Sequence, residues 1–184
     1  MNFIRKILST GFFQRKQKIK AIVGIDENNG IGNNGELLFA IKEDMKHFTE
    51  LTRGAVVIMG SKTYDSIPPK FRPLKNRINI VLSRQKGIFA DEDIIIAHSL
   101  AEALEQGEKY HKDIWIIGGE AVYRESLPMV DEIYITQMFA QKEADTFFPR
   151  FKDGFNCIDT SEMNFDEKNQ IEFQFQTWQK NSKA

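Results

Sequence analysis

DIWIIGGEAVYRESLP (113–128) is the stretch from which the fold can be read. Its apolar run is short, continuous and bounded by Asp113, as in a strand covered on both faces. It runs straight into Gly118 and Gly119; EAVYRESL (120–127) then reads as a helix, with Pro128 just past its end. Strand, tight turn and helix together are the unit of an open α/β sheet, and such sheets bind ligands at the carboxyl ends of their strands. Glycines let backbone approach a diphosphate, and the free N–H groups of a first helical turn can hold one. A plain helix-packing turn would use the same residues. The G-x-G-x-x-G fingerprint is absent, which disfavours a classical dinucleotide fold.

Outward from this unit the same grammar repeats. AIVGI (21–25), AVVIMG (55–60), INIVLS (78–83) and DIIIA (93–97) are further buried strands, and EIYITQM (132–138) is a sixth. SKTYDSI (61–67) reads as a short helix with Ser61 as N-cap. SLAEALEQGEKY (99–110) is an amphipathic helix with Ser99 as cap, Glu102 completing a capping box, and Leu100, Ala103 and Leu104 facing inward. PPKFRPLKNR (68–77) is a proline-rich cationic loop, and 139–153 a long polar one. After FNCIDT (155–160), IEFQFQTWQ (171–179) alternates apolar and polar residues, as expected of a half-exposed antiparallel strand closing the sheet. The prediction is one α/β domain with a mixed, mostly parallel sheet.

Composition narrows the function. At 184 residues the chain suits a single core, and a formal net charge of −1 offers no basic field for a nucleic-acid backbone. A single cysteine, Cys157, excludes an intrachain disulfide and a multi-cysteine metal site, consistent with a reducing, cytoplasmic setting. No run reaches the roughly 18 apolar residues of a membrane span. The first 20 residues hold six Lys or Arg and no acid, and Phe3, Ile4, Ile7 and Leu8 have helical spacing. Arg5 and Lys6 interrupt any secretory core, so a surface-docked or disordered extension, or an organelle transit peptide, stays open.

GIGNNGELLFAIKEDMKHF (30–48) carries the one acid out of place. A Gly/Asn-rich loop turns apolar at Leu37-Leu38-Phe39 and becomes a helix in which Ile41, Met45, Phe48 and Leu51 form a stripe. Asp44 falls on that stripe. A carboxylate there needs a partner or takes up a proton; alternatively it is a first-turn acid favoured by the helix dipole. MGSKT (59–63) and LSR (82–84) add two strand-end turns bearing cations, which suggests a polyanionic ligand across the sheet, although each cation alone suits a solvated surface. His47, His98 and His111 lack metal-site spacing and read as surface or helix-end residues. No G-x-S-x-G nucleophile is present.

Taken together, IVGIDENNGIG, the Asp44 helix, VVIMGSKTYDSI, RPLKNRINIVLS, IWIIGGEAVY, IYITQM and ADTFFP resemble dihydrofolate reductase, in order and across about residues 20–180. The resemblance implies a single-domain α/β fold: a central eight-stranded, mostly parallel sheet with an antiparallel C-terminal strand and about four flanking helices. It implies a catalytic domain at 19–180, a basic extension at 1–18 and a tail at 181–184. The implied reaction is NADPH-dependent reduction of 7,8-dihydrofolate, by hydride transfer from nicotinamide C4 to pterin C6, with the N5 proton arriving by water. A monomer is the family expectation.

The family's roles fall on named positions. Asp44 matches the acid that grips the pterin's 2-amino group and N3, and Thr136 the hydroxyl supporting it. Ile22, Val23, Met45, Phe48, Ile67 and Leu74 match substrate-facing walls; Ile117 and Tyr123 lie by both pterin and nicotinamide. Arg77 matches the cation for the substrate's α-carboxylate. Gly118, Gly119, Glu120, Ala121 and Val122 match the pyrophosphate cradle, helped by Gly60, Ser61, Lys62 and Thr63. Leu82, Ser83 and Arg84 match the 2′-phosphate side of the cofactor. Val23, Gly24, Ile31 and Gly32 match its nicotinamide side, Gly32 in a mobile loop braced by Asp145. No metal site is implied. This chain departs from the pattern at Leu38-Phe39, where Pro-Trp is usual, at Gly24 (Ala common), at Ser61 (often a cation) and in a slightly longer 68–71. A riboflavin-pathway pyrimidine reductase shares fold and cofactor but generally lacks the helix acid. A non-catalytic pteridine- or nucleotide-binding module would need the glycines and not Asp44.

Overall fold

The computed structural model of the protein describes residues 17–84 and 93–181. The helix expected around Phe3–Leu8 and most of the 181–184 tail lie outside them. In chain order the elements are β1 (Ile19–Ile25), β2 (Gly30–Asn33), β3 (Glu36–Leu37), α1 (Lys42–Thr52), β4 (Val56–Gly60), α2 (Ser61–Ser66), β5 (Ile78–Leu82) and β6 (Ile94–Ala97). There follow α3 (Leu100–Glu108), β7 (Ile114–Ile116), α4 (Glu120–Ser126), β8 (Glu132–Met138), β9 (Thr146–Phe147), β10 (Phe155–Thr160), β11 (Asn164–Asp166) and β12 (Ile171–Lys180).

Eight strands run in the order β10-β12-β8-β1-β7-β4-β5-β6, and β11 adds a ninth along β12. From β8 to β6 every pair is parallel. β12 is antiparallel to β8, and β10 and β11 are antiparallel to β12. The central strands are apolar on both sides because both faces are covered. One core layer joins Ile58, Ile80 and Ile116 to Leu100, Ala103 and Leu104 of α3 and Val122 and Tyr123 of α4. The other joins Ile22, Val57, Met59 and Trp115 to Tyr64 of α2 and Phe48 and Leu51 of α1. At the antiparallel end β12 alternates as its sequence does, Ile171 and Phe173 buried and Glu172 exposed.

Several local expectations change. Residues 26–35 are not turn alone. Asp26 Oδ1 accepts N–H bonds from Asn28 (2.8 Å) and Gly30 (2.7 Å), a side-chain-closed turn that launches β2. β2 pairs with β3 and with β9, inside the supposed polar loop, in a three-stranded satellite sheet. Strands of two to four residues are too short to show alternation. Gly60, not Ser61, is the N-cap of α2. Ser99 caps α3 through the Glu102 N–H at 3.1 Å, while the Glu102 carboxylate reaches the N–H of His98 at 2.8 Å, not that of Ser99. Met45 stays 46% exposed, because α1 packs through Ile41, Phe48, Leu51 and Thr52.

At the amino ends of the central strands, buried Lys20 sits 2.8 Å from the Asp113 carboxylate, 3.8 Å from Glu132 and over the Trp115 ring. Burial alone would raise the pKa of Glu132; Lys18 and Lys20 more than offset it and lower it. This network ties the starts of β1, β7 and β8 and leaves their carboxyl ends to the site.

Candidate active site

Asp44 is the third residue of α1, and Ile41, fully buried just before the helix, anchors that turn. Thr136 on β8 stands in register with Gly24 of β1 and Phe175 of β12. Its hydroxyl donates to Asp44 Oδ1 at 2.5 Å, the length of a charge-assisted bond. Among the described residues Oδ2 has no hydrogen-bond partner. Burial raises the carboxyl's pKa; the Thr136 bond and nearby His47 pull the other way. The acid on the apolar stripe is therefore held by a hydroxyl on Oδ1 and retains acceptor capacity on both oxygens. His47, expected at the surface, is half-buried with its ring 4.2 Å from that of Phe175, and burial lowers its pKa.

Arg77 closes the other end of the same face. Its Nη1 donates to Thr52 Oγ1 at 3.1 Å, its Nε to the Lys75 carbonyl at 3.1 Å, and its guanidinium lies over Phe48 at 5.5 Å. Burial, then the charge of Arg53, lowers its pKa. Phe48, Ile67, Leu74 and Ile117 pack with Ile22 in one cluster, so five predicted wall residues do come together. Val23, which alternates with Ile22, packs its side chain into the opposite core layer with Ile58 and Tyr123. Any wall it offers on the α1 face is backbone.

The two strand-end turns meet as backbone. The Gly60 N–H donates to the Gly118 carbonyl at 2.7 Å, the Gly118–Gly119 peptide is cis, and Gly118 has φ +121°. A β-carbon at Gly119 would lie 3.1 Å from Thr63 Oγ1, and one at Gly60 3.3 Å from Val122. A side chain at either position would crowd Thr63 or Val122, so glycine keeps the backbone of this surface uncovered. Uncovered glycine backbone just before the first turn of α4 is compatible with a diphosphate, as an NADPH site requires. Behind it, buried Tyr123 donates its hydroxyl to the Ile22 carbonyl at 2.7 Å, and burial drives its pKa far up. Ile31 and Gly32 lie on β2. Lys62, Ala121 and Arg84 are exposed, Leu82 half-buried, and the Ser83 carbonyl accepts a bond from His98 Nδ1 at 2.8 Å. Glu120 accepts the Phe147 N–H at 3.2 Å, joining this turn to β9.

Asp145 accepts the Asn34 N–H at 2.9 Å and donates its own N–H to Gly32 at 3.1 Å, so the brace on the β2 loop is in place. Sequence reasoning missed Lys142, whose ammonium lies 4.2 Å over the buried Phe39 ring and bonds the Leu38 carbonyl at 2.8 Å. A lysine in a polar loop carries no signal of such a contact. Two cavities of about 300 and 320 Å³ lie at the amino edge, one lined by Lys18, Asp131 and Glu132 and the other by Lys20, Asp113 and Trp115 and reaching Leu51 and Arg53 at the end of α1; neither is lined by Asp44, Thr136 or the glycine turns. Among the described residues no group of three or more His, Cys, Asp or Glu could hold a metal, and no helix is long and apolar enough to cross a membrane.

An α/β sheet thus carries a supported carboxylate and an arginine on one face and glycine turns at its strand ends, an arrangement compatible with the reductase class. Residues 18–180 match the family described as Dihydrofolate reductase. Dihydrofolate reductase of Drosophila melanogaster is 34% identical over 184 residues, spanning 90% of this chain and 99% of its own. That of Sus scrofa is 35% identical over 184 residues, spanning 89% and 98%. Dihydrofolate reductase from Enterococcus faecalis, solved with NADP(H) and RAB-propyl, superposes with TM-score 0.81 at 31% identity, covering 90% of this chain and 97% of that one. The chain belongs to the dihydrofolate reductase family, and its activity is the NADPH-dependent reduction of dihydrofolate.

Proposed function

We propose that Asp44 and Thr136 are the catalytic pair of this reductase and that the remaining site residues divide between substrate and cofactor. A carboxylate oxygen has two acceptor positions, so Asp44 can keep the Thr136 hydroxyl on Oδ1 and still accept the paired N–H edge of a pterin with both oxygens. Secluded from water, those bonds strengthen and draw the ring toward protonation at N5. Ile22, Phe48, Ile67, Leu74 and Ile117 exclude water along the ring, with Met45 at the exposed edge and Tyr123 beneath. Arg77, held by Thr52 and Phe48, presents its remaining N–H groups to the α-carboxylate, as a planar fork suits.

NADPH, when bound, supplies the hydride. Gly60, Gly118 and Gly119, with Ser61, Lys62, Thr63 and the amides of Glu120, Ala121 and Val122, would hold its pyrophosphate. Leu82, Ser83 and Arg84 would take the 2′-phosphate end, and Val23, Gly24, Ile31 and Gly32 the nicotinamide end. The same reading takes residues 19–180 as the catalytic domain, 1–18 as an extension outside it, and the enzyme as a cytoplasmic monomer. The domain bounds are supported by β1 starting at Ile19 and β12 ending at Lys180, and a reducing setting by the free Cys157; the monomer is the family expectation.

The observation that carries the assignment is the Thr136–Asp44 bond on the face that Arg77 closes. Arg77→Leu separates its halves. The substrate contact sits at a half-exposed site, so its loss costs about 2 kcal/mol, roughly thirtyfold in the KM for dihydrofolate. NADPH binding stays close to wild type. Equal loss of both ligands would remove Arg77 from the substrate site.

A further inference from the structure

Gly24 on β1 lies beside Thr136 on β8, and Met138 is two residues further along β8, so all three face α1. A β-carbon built on Gly24 would sit 2.7 Å from Met138 Cε, closer than unbonded carbons approach, and 3.7 Å from Asp44 Oδ2. Met138 is 4% exposed and packs with Leu38, Phe39, Ile41 and Phe173. The thioether methyl thus fills the volume that a side chain at position 24 would claim, next to the carboxylate oxygen left free for a ligand. Met is unbranched and rotates about three bonds, so its methyl can yield to a ring where a fixed β-carbon cannot.

We propose that Met138 is a specificity-determining residue of the reductase site, paired with Gly24 so that a movable methyl forms the wall beside Asp44 and sets how the substrate's N–H edge seats. This rests on Asp44 being the substrate-gripping acid. A methyl at position 24 expels Met138 Cε from its slot, and a shorter side chain at 138 empties the slot. Each change alone misplaces the wall, and the two together compensate.

The test is a double-mutant cycle in the full chain, Gly24→Ala, Met138→Val and both, by steady-state kinetics with NADPH and dihydrofolate. Each single raises the KM for dihydrofolate on the order of fivefold, and the double loses about threefold less than the product of the singles. Met138→Val leaves the KM for NADPH unchanged. It also admits water to Asp44, so the pH midpoint of kcat/KM moves down toward the ordinary carboxylate range. Met138→Leu takes its place in the cycle if the valine variant does not fold. Singles that multiply within about twofold, or a Met138 variant that lowers Tm with kcat and KM falling together and the midpoint fixed, overturn the pairing. Full activity in Asp44→Asn would instead overturn the site reading beneath it.

Discussion

Thr136→Val tests the support of the acid directly. The substitution keeps shape and removes one hydroxyl, whose 2.5 Å bond is the only hydrogen bond to the Asp44 carboxylate among the described residues. Bonds to charged groups contribute about 1.5–3 kcal/mol, and burial here leaves little water to replace the lost donor. The corresponding fall in kcat/KM for dihydrofolate is about 10- to 150-fold. The sign of the pH effect follows separately. The hydroxyl favours the ionised carboxylate, so its removal leaves burial less opposed and moves the pH midpoint of kcat/KM upward. The assay is NADPH oxidation against dihydrofolate concentration across pH, with Thr136→Ser as the variant that keeps a donor. Thr136→Val with kcat/KM within about twofold of wild type and an unmoved midpoint would refute the support.

Other sites make independent predictions. Arg84→Ala, losing a charge-assisted contact of about 1.5 kcal/mol, raises the KM for NADPH roughly tenfold and leaves that for NADH unchanged; an equal effect on both would detach Arg84 from the 2′-phosphate. For His47 the folded-state pKa is lowered, chiefly by burial. The unfolded chain therefore binds the proton first as pH falls, and stability declines from the ordinary histidine value downward. In His47→Phe the decline in Tm between neutral and mildly acid pH becomes shallower, measured by thermal melts in series; an unchanged slope would mean the imidazole is solvated.

The long parallel strands were legible because burial on both faces writes an unbroken apolar run: AVVIMG and INIVLS place β4 and β5 to within a residue at either end. β12 announced itself by alternation, and FNCIDT marks β10 without error. The satellite sheet was not legible, since β9 is two residues long and is created by pairing with β2. Within the site, Asp44 was suspicious by position and Thr136 entered through family resemblance; neither composition nor spacing could show that one bonds the other. Met45 misled because an apolar residue on a helix stripe predicts a covered face, whereas this face opens beside the acid. Strand alternation sends the Val23 side chain to the opposite layer from Ile22, so what it presents on the α1 face is backbone, which an apolar run does not reveal. Lys142 over Phe39 and Met138 against Gly24 depend on separate parts of the chain meeting, which local pattern does not record.

Burial raises the Asp44 carboxyl, so the folded state holds its proton more tightly than the unfolded chain, and the ionised acid costs stability at neutral pH. The most direct measurement is therefore Asp44→Asn, assayed for NADPH oxidation with and without dihydrofolate from acid to alkaline pH, with Tm recorded in parallel. The wild-type enzyme oxidises NADPH only when dihydrofolate is present. The variant loses most of that rate at neutral pH, recovers part of it at acid pH where the substrate arrives protonated, and melts no lower than wild type. A variant as active as wild type at both ends of the pH range would contradict the role of Asp44.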